Sequence, residues 1–238
     1  MTSSRWRWPA VAALLLVSAG FARLGFWQLS RLHQRRALNA AIIRAGIEPR
    51  ITLNEPGRRD SASLSYRRLE ATGRYDGKHD LVLRGQAYLE TPGIYVVTPL
   101  RLAGSDTALL VLRGFVPAPD AVRADLGPLE EPGEHRVTGL AEPIGSGGGR
   151  PLEVEGRSTW ARLDLPALRD ALPYPLLPVV LRQAPDSALP RYPRRLDPPE
   201  VDDGPHLNYA VQWFLFAAMG VAFAVVVVAR GGGARRAP

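Results

Sequence analysis

Four histidines, scattered arginines and no cysteine at all set the chemistry open to this sequence. His33, His79, His135 and His206 stand far apart, with no H-x-x-x-H or H-E-x-x-H pair, so no structural metal site is expected. Without cysteine there is no disulfide, no C-x-x-C redox centre, no thiolate-bound zinc or copper and no covalently attached haem. No G-x-S-x-G elbow occurs, and no pair of carboxylates stands out as acid and base. Ser146-Gly147-Gly148-Gly149 is followed by no Lys-Ser/Thr, so it reads as a flexible loop and not as a phosphate cradle. Hydrolysis, phosphoryl transfer and nicotinamide redox have no visible machinery, and no enzyme is expected.

One constellation remains, divided between the two ends of the chain. Leu24-Gly25-Phe26-Trp27-Gln28-Leu29-Ser30-Arg31 closes the first apolar stretch, and His206-Leu207-Asn208-Tyr209-Ala210-Val211-Gln212-Trp213 opens the second. At helical spacing His206, Tyr209 or Ala210, and Trp213 share one face, while Gln28, Arg31 and Arg35 share another. If both tails lie on one side of a membrane, these segments meet at the opposite face. An imidazole, aromatic rings (Trp27, Tyr209, Trp213) and arginines then stand at one interfacial level. Two readings follow. In the first, Trp and Tyr are belt residues, the arginines meet lipid phosphates, and His206 is simply interfacial. In the second, the cluster takes a flat, amphipathic, anionic cofactor, since imidazole is a usual haem axial ligand and arginines pair with carboxylates such as propionates. Composition does not separate them.

The elements that must position these residues are two membrane spans. Tyr209 to Ala229 carries no polar side chain stronger than Gln212, and at about 1.5 Å per residue it spans about 30 Å, the thickness of a bilayer's hydrocarbon. The N-terminal run is interrupted by Arg23. Alone it resembles a cleaved signal peptide, with Arg5 and Arg7 before a short apolar core. Apolar character resumes after Arg23 through Leu29, and an arginine near a helix end reaches the headgroups, so a retained span is the preferred reading. The expected order is a cytoplasmic tail (1–8), a first transmembrane helix (9–29) and a helical extension (30–48). A β-rich extracytoplasmic domain (49–184), a Pro-rich linker (185–205), a second transmembrane helix (206–229) and a cytoplasmic tail (230–238) follow.

Between the spans the hydrophobic period changes. Tyr66–Tyr75, Asp80–Tyr88, Ile94–Leu102, Ala108–Val116, Arg136–Ala141 and Leu176–Gln183 are short β-rich runs punctuated by Gly, Pro and Asp. They predict an antiparallel barrel or sandwich, α+β by virtue of one short helix at Leu165–Ala171. The prolines of 185–205 predict a stiff extended linker. The net charge of +7 is not read as a nucleic-acid surface, because its excess lies beside the apolar ends, where anionic lipid is the expected partner.

These residues resemble a known family. Leu24–Arg31 is similar to its G-x-W-Q-x-x-R segment, and Arg113-Gly114-Phe115-Val116-Pro117 to its R-G-[aromatic]-V-P turn, preceded by Pro92-Gly93 and Thr98-Pro99-Leu100. Gly139, Trp160 and Asp164 fit the later part, and Pro205 to Phe214 resembles the H-x-x-Y-A-x-x-W-F start of its last span. In order, and over nearly the whole chain, these match the surfeit-locus family of cytochrome c oxidase assembly factors. Asp203-Gly204-Pro205 departs from the asparagines often found there. The resemblance implies a two-pass inner-membrane factor, central domain outside the cytoplasm, that assists haem a delivery to the catalytic subunit of a haem-copper oxidase, with a haem a synthesis enzyme as a further partner. It implies His206 as the iron ligand. Arg31 and Arg35 would stand near the propionates, Trp27 and Trp213 at the ring edge, and Gln28 and Tyr209 beside them. The competing expectations are a scaffold that binds no haem, a membrane-attached haem-modifying enzyme, and an unrelated anchored sensor or adhesin.

Overall fold

The computed structural model describes residues 7–57, 59–198 and 201–233. Arg5, Trp6, Arg235 and Arg236 of the expected tails lie outside them. Two compact units result: one joins the described residues up to Ala41 to those from 201 onward, and the other covers 42–198.

In the first unit, α1 (Arg7–Ile47) runs unbroken through Arg23, and α4 (His206–Gly233) closes the described chain. Both are long and apolar enough to cross a membrane. At about 1.5 Å per residue α1 is about 60 Å long, twice what a bilayer needs, so its second half is available to carry polar chemistry. The buried residues of α1 are Val11, Ser18, Gly25, Leu32 and Asn39, spaced at sevens. That is the 3.5-residue period of a helix that faces one partner along its whole length. The partner is α4, whose Ala210 and Ala224 are buried and whose Phe214 and Gly220 meet the seam. Small residues let the backbones approach: a Cβ on Gly25 would stand 2.7 Å from the Phe214 ring, and one on Gly220 would strike the Ser18 hydroxyl. Phe21 stacks on Trp213 at 5.6 Å, and Phe26 meets Phe214 edge-on at 5.2 Å. Leu15, Leu16, Leu215, Phe223 and Val225 point away from the seam and are exposed, as side chains facing lipid would be.

The second unit is a mixed sheet around a closed barrel. After β1 (Ile51–Thr52) and the short α2 (Ser61–Leu64) come β2 (Arg68–Tyr75), β3 (Leu81–Tyr88), β4 (Thr91–Leu102), β5 (Ala108–Pro117) and β6 (Glu134–Pro143). Then β7 (Leu152–Val154), β8 (Arg157–Trp160), α3 (Leu165–Ala171) and β9 (Leu176–Gln183) complete it. The ring runs β2-β6-β9-β5-β4, and the last residues of β4 return to β2 through Gly73–Leu102 and Tyr75–Leu100. The first part of β4 instead pairs with β3, which continues to β8 and β7. The barrel alternative is therefore realised, but it is not purely antiparallel: β1–β2, β3–β8 and β5–β9 run parallel. Inward residues alternate at period two (Leu69 and Ala71, Leu109 and Val111, Leu177, Val179 and Leu181) and fill the barrel. β5 is buried on both faces, because Leu110 and Leu112 turn outward under Trp160 and Leu168.

One loop expectation is corrected. Gly147, Gly148 and Gly149 are fixed: all three amides donate to Asp164 Oδ2, at 2.7, 2.9 and 3.3 Å. Asp164 also caps α3 through Ala167, and these backbone bonds, first those from Gly147 and Ala167, hold its carboxyl below the usual range. The stiff linker expected at 185–205 is tied down at 194–195. Phe115 and Arg194 exchange backbone hydrogen bonds at 2.8 Å, and Gly114 (φ +142°) lacks the Cβ that would collide with this strap. Arg195 beside it is buried and donates to Gln183 and Glu131.

Candidate functional site

Within the helix pair, α1 and α4 bring His206 against Gln28. His206 Nδ1 lies 2.9 Å from Gln28 Oε1. With the amide oxygen turned to the ring, as placed, the matching tautomer has its proton on Nδ1 and its lone pair on Nε2. Gly204 lies on that side of the ring. A Cβ built on it would sit 3.6 Å from Nε2, so the absence of a side chain leaves the nitrogen uncovered.

The approach to α4 is shaped by the two aspartates before it. Asp202 Oδ1 accepts from the Gly204 amide at 2.7 Å, which turns the chain through Gly204 (φ +67°) into the first turn of α4. The Asp202 carbonyl accepts from Asn39 at 2.7 Å and from Arg35 Nε at 3.2 Å, and Asp203 pairs with Arg36 at 2.8 Å. Asn39 is the last of the buried sevens on α1, so the seam ends in a polar clasp.

The result is a groove of about 450 Å³ lined by Arg31, Gln34, Arg35, Leu38, Asp202, Gly204 and His206. Arg31 spends one nitrogen on Gln34 Oε1 (3.1 Å) and Arg35 one on Asp202. Each keeps donors for an incoming anion. Of the residues singled out from sequence, His206, Arg31 and Arg35 line it, and Gln28 stands behind His206. Trp213 does not line the groove; it packs in the seam between Phe21 and Phe216. Trp27 and Tyr209 are about half exposed and face outward, where interfacial aromatics belong. Gln34, Leu38, Asp202 and Gly204 were not anticipated. The i+3 spacing of Arg31 to Gln34 was the available signal for one of them.

The fit to haem can be tested on these residues. An unblocked imidazole nitrogen, held by a hydrogen bond on its other nitrogen, is the usual arrangement of a metal-ligating histidine. Two guanidiniums with spare donors stand on the same groove, suited to carboxylates. The residues fit the group. Among the described residues no three His, Cys, Asp or Glu side chains converge as a metal cage, so any iron held here would rest on one protein imidazole.

A second polar concentration lies within the barrel unit. Glu131 Oε1 accepts from both Arg113 (2.7 Å) and Arg195 (2.6 Å), and all three are largely buried. Burial alone would raise the Glu131 carboxyl; the hydrogen bonds from Arg195 and Arg113 outweigh it and hold it below the usual range. Thr98 donates to Asp80 at 2.5 Å, yet burial keeps the Asp80 carboxyl above its usual range. His79 and Tyr174 both bond Asp76 Oδ2.

Comparison with known proteins agrees with the order of these features. The model of the SURF1 family matches residues 15–218. A SURF1-like protein of Monosiga brevicollis is 29% identical across 92% of this chain and 88% of its own length. SURF1-like proteins of Rickettsia felis and Rickettsia prowazekii are each 34% identical over 94 residues, 39% of this chain.

Proposed function

The chain belongs to the SURF1 family, whose members are generally oxidase assembly factors, and from that premise we propose that it holds haem a for insertion into the catalytic subunit of a haem-copper terminal oxidase. In this reading it sits in the inner membrane with both tails cytoplasmic, the barrel outside the cytoplasm and the groove at the outer membrane face. The observation that carries the haem reading is the His206–Gln28 contact, which leaves Nε2 free beside Arg31 and Arg35.

Haem would supply an iron that a protein imidazole could hold. His206 offers that imidazole, and Arg31 and Arg35 offer guanidiniums to the two carboxylates. Single-histidine attachment suits a carrier, because the oxidase subunit's own histidines need displace only one ligand. Trp213 serves indirectly, by fixing the two helices against each other. The barrel is the docking body for the nascent subunit, and a haem a synthesis enzyme is the natural donor. No acid–base pair is required by any of this, in keeping with a factor that is not an enzyme.

The test is an absorption spectrum of the detergent-purified full chain, co-expressed with a haem a synthesis pathway, beside His206→Ala. A Soret band in the parent that is lost or strongly weakened in the variant is expected. No band in either protein would overturn haem carriage and leave a scaffold acting by protein contacts.

A further inference from the structure

We infer that Gln28 is a positioning residue: its amide oxygen holds His206 as the Nδ1–H tautomer and so makes Nε2 the nitrogen offered to a metal. The inference rests on the haem reading above and assigns a division of labour within it. Gln28 is absent from the groove lining and acts only through His206.

Four observations carry it. First, the contact is short, 2.9 Å, partly buried, and joins residues on different helices. It therefore depends on tertiary packing and not on local chain geometry. Second, the amide is placed with its oxygen toward the ring, the orientation in which Nδ1 carries the proton. Third, the contact is keyed to the seam. Gln28 lies one turn from Gly25, which receives the Phe214 ring of the helix that carries His206. The ring is thus held in orientation as well as in tautomer. Fourth, the opposite edge of the imidazole is the one Gly204 leaves uncovered. A hydrogen-bond acceptor behind a ligating histidine orients the ring and raises its basicity, and removal of such a partner typically lowers metal affinity by about 10–100-fold.

The experiment uses the full chain in detergent, labelled with ¹⁵N-histidine, as parent, Gln28→Leu, Gln28→Glu and His206→Ala. The His206 variant assigns the ring signals. Two quantities are read at alkaline pH: the His206 tautomer from its ring ¹⁵N shifts, and the Kd for added haemin from Soret titration. In the parent the proton is expected on Nδ1. In Gln28→Leu, with the acceptor gone, it redistributes over both nitrogens, and the haemin Kd rises about 10–100-fold. Gln28→Glu keeps an acceptor, and is expected to restore the Nδ1–H form and bind haemin at least as tightly as the parent. That ordering is not what loss of packing alone would produce. An unchanged tautomer and Kd in Gln28→Leu would overturn the inference and leave haem carriage standing. A parent with Nδ1–H that takes up no haemin would overturn haem carriage, and with it the ligand role, while the proton placement stands.

Discussion

Arg195 and Asp203 lie a few residues apart, yet the clamps they enter are built on opposite terms. In the barrel, Arg195 and Arg113 close on Glu131 in a largely buried site, with Arg113 only 2% exposed. In the helix pair, Asp203 meets Arg36 where their side chains are 42% and 55% exposed. The partners are the same chemical groups at nearly the same distance, so burial alone sets their consequences. A buried charge left without its partner costs about 3–5 kcal/mol, whereas an exposed pair contributes about 0–1 kcal/mol. The first clamp is therefore a permanent fastening of the strap at 194–195. The second is a reversible clasp at the entrance to α4, beside the groove. Under the proposed haem reading the two divide the work: a body that keeps its form, and an entrance that rearranges cheaply.

The contrast is broken most severely at Glu131. Glu131→Ala strands two buried guanidiniums and is expected to lower stability by about 3–5 kcal/mol in denaturant unfolding of the full chain. A loss below about 1 kcal/mol would mean that water reaches the site and that the two clamps are alike. A smaller effect of opposite sign is expected at Asp80. Its folded carboxyl binds a proton more readily than in the unfolded chain, so stability falls as pH rises from about its ordinary 3.8 through the raised value. Asp80→Asn keeps an acceptor for Thr98 and is expected to raise the melting temperature at pH 7, with the gain disappearing below pH ~4. Glu131 works the other way: its contribution is present above its ordinary carboxyl range and is lost as acid protonates it. The smallest effect belongs to the clasp. Arg36→Ala should cost no more than about 1 kcal/mol, and added salt should erase even that. A larger, salt-resistant loss would make the entrance as rigid as the strap.

How much of this was legible beforehand depended on periodicity. β2, β3, β4, β5, β6 and β9 carry alternating or continuous apolar runs bounded by Gly, Pro and Asp, and each lies where those signals place it. α3 matches its expected bounds. β1, β7 and β8 have two to four residues, too few to show any period, and strand direction leaves no local trace, so the parallel pairings were invisible. The glycine loop misled because composition records freedom and not partners: the carboxylate that fixes it, Asp164, stands about fifteen residues downstream in sequence. At the site, helical phase found Gln28, Arg31 and His206. It could not choose between Tyr209 and Ala210, since both flank the same turn; packing put Ala210 in the seam and Tyr209 outside it. The seam itself was hidden because the apolar stretches of α1 and α4 are apolar on nearly every side, leaving residue size as the main guide to which face meets the other helix.

That seam works as a ruler laid along both helices. Ser18 meets Gly220 and Gly25 meets Phe214 in the same alignment that sets Gln28 opposite His206. One methyl group too many at Gly25, where a Cβ would stand 2.7 Å from the Phe214 ring, shifts the graduation beside it. Such a substitution would lie outside the groove lining. Under the proposed haem reading, its effect would surface further along the helix pair, as weaker uptake at His206.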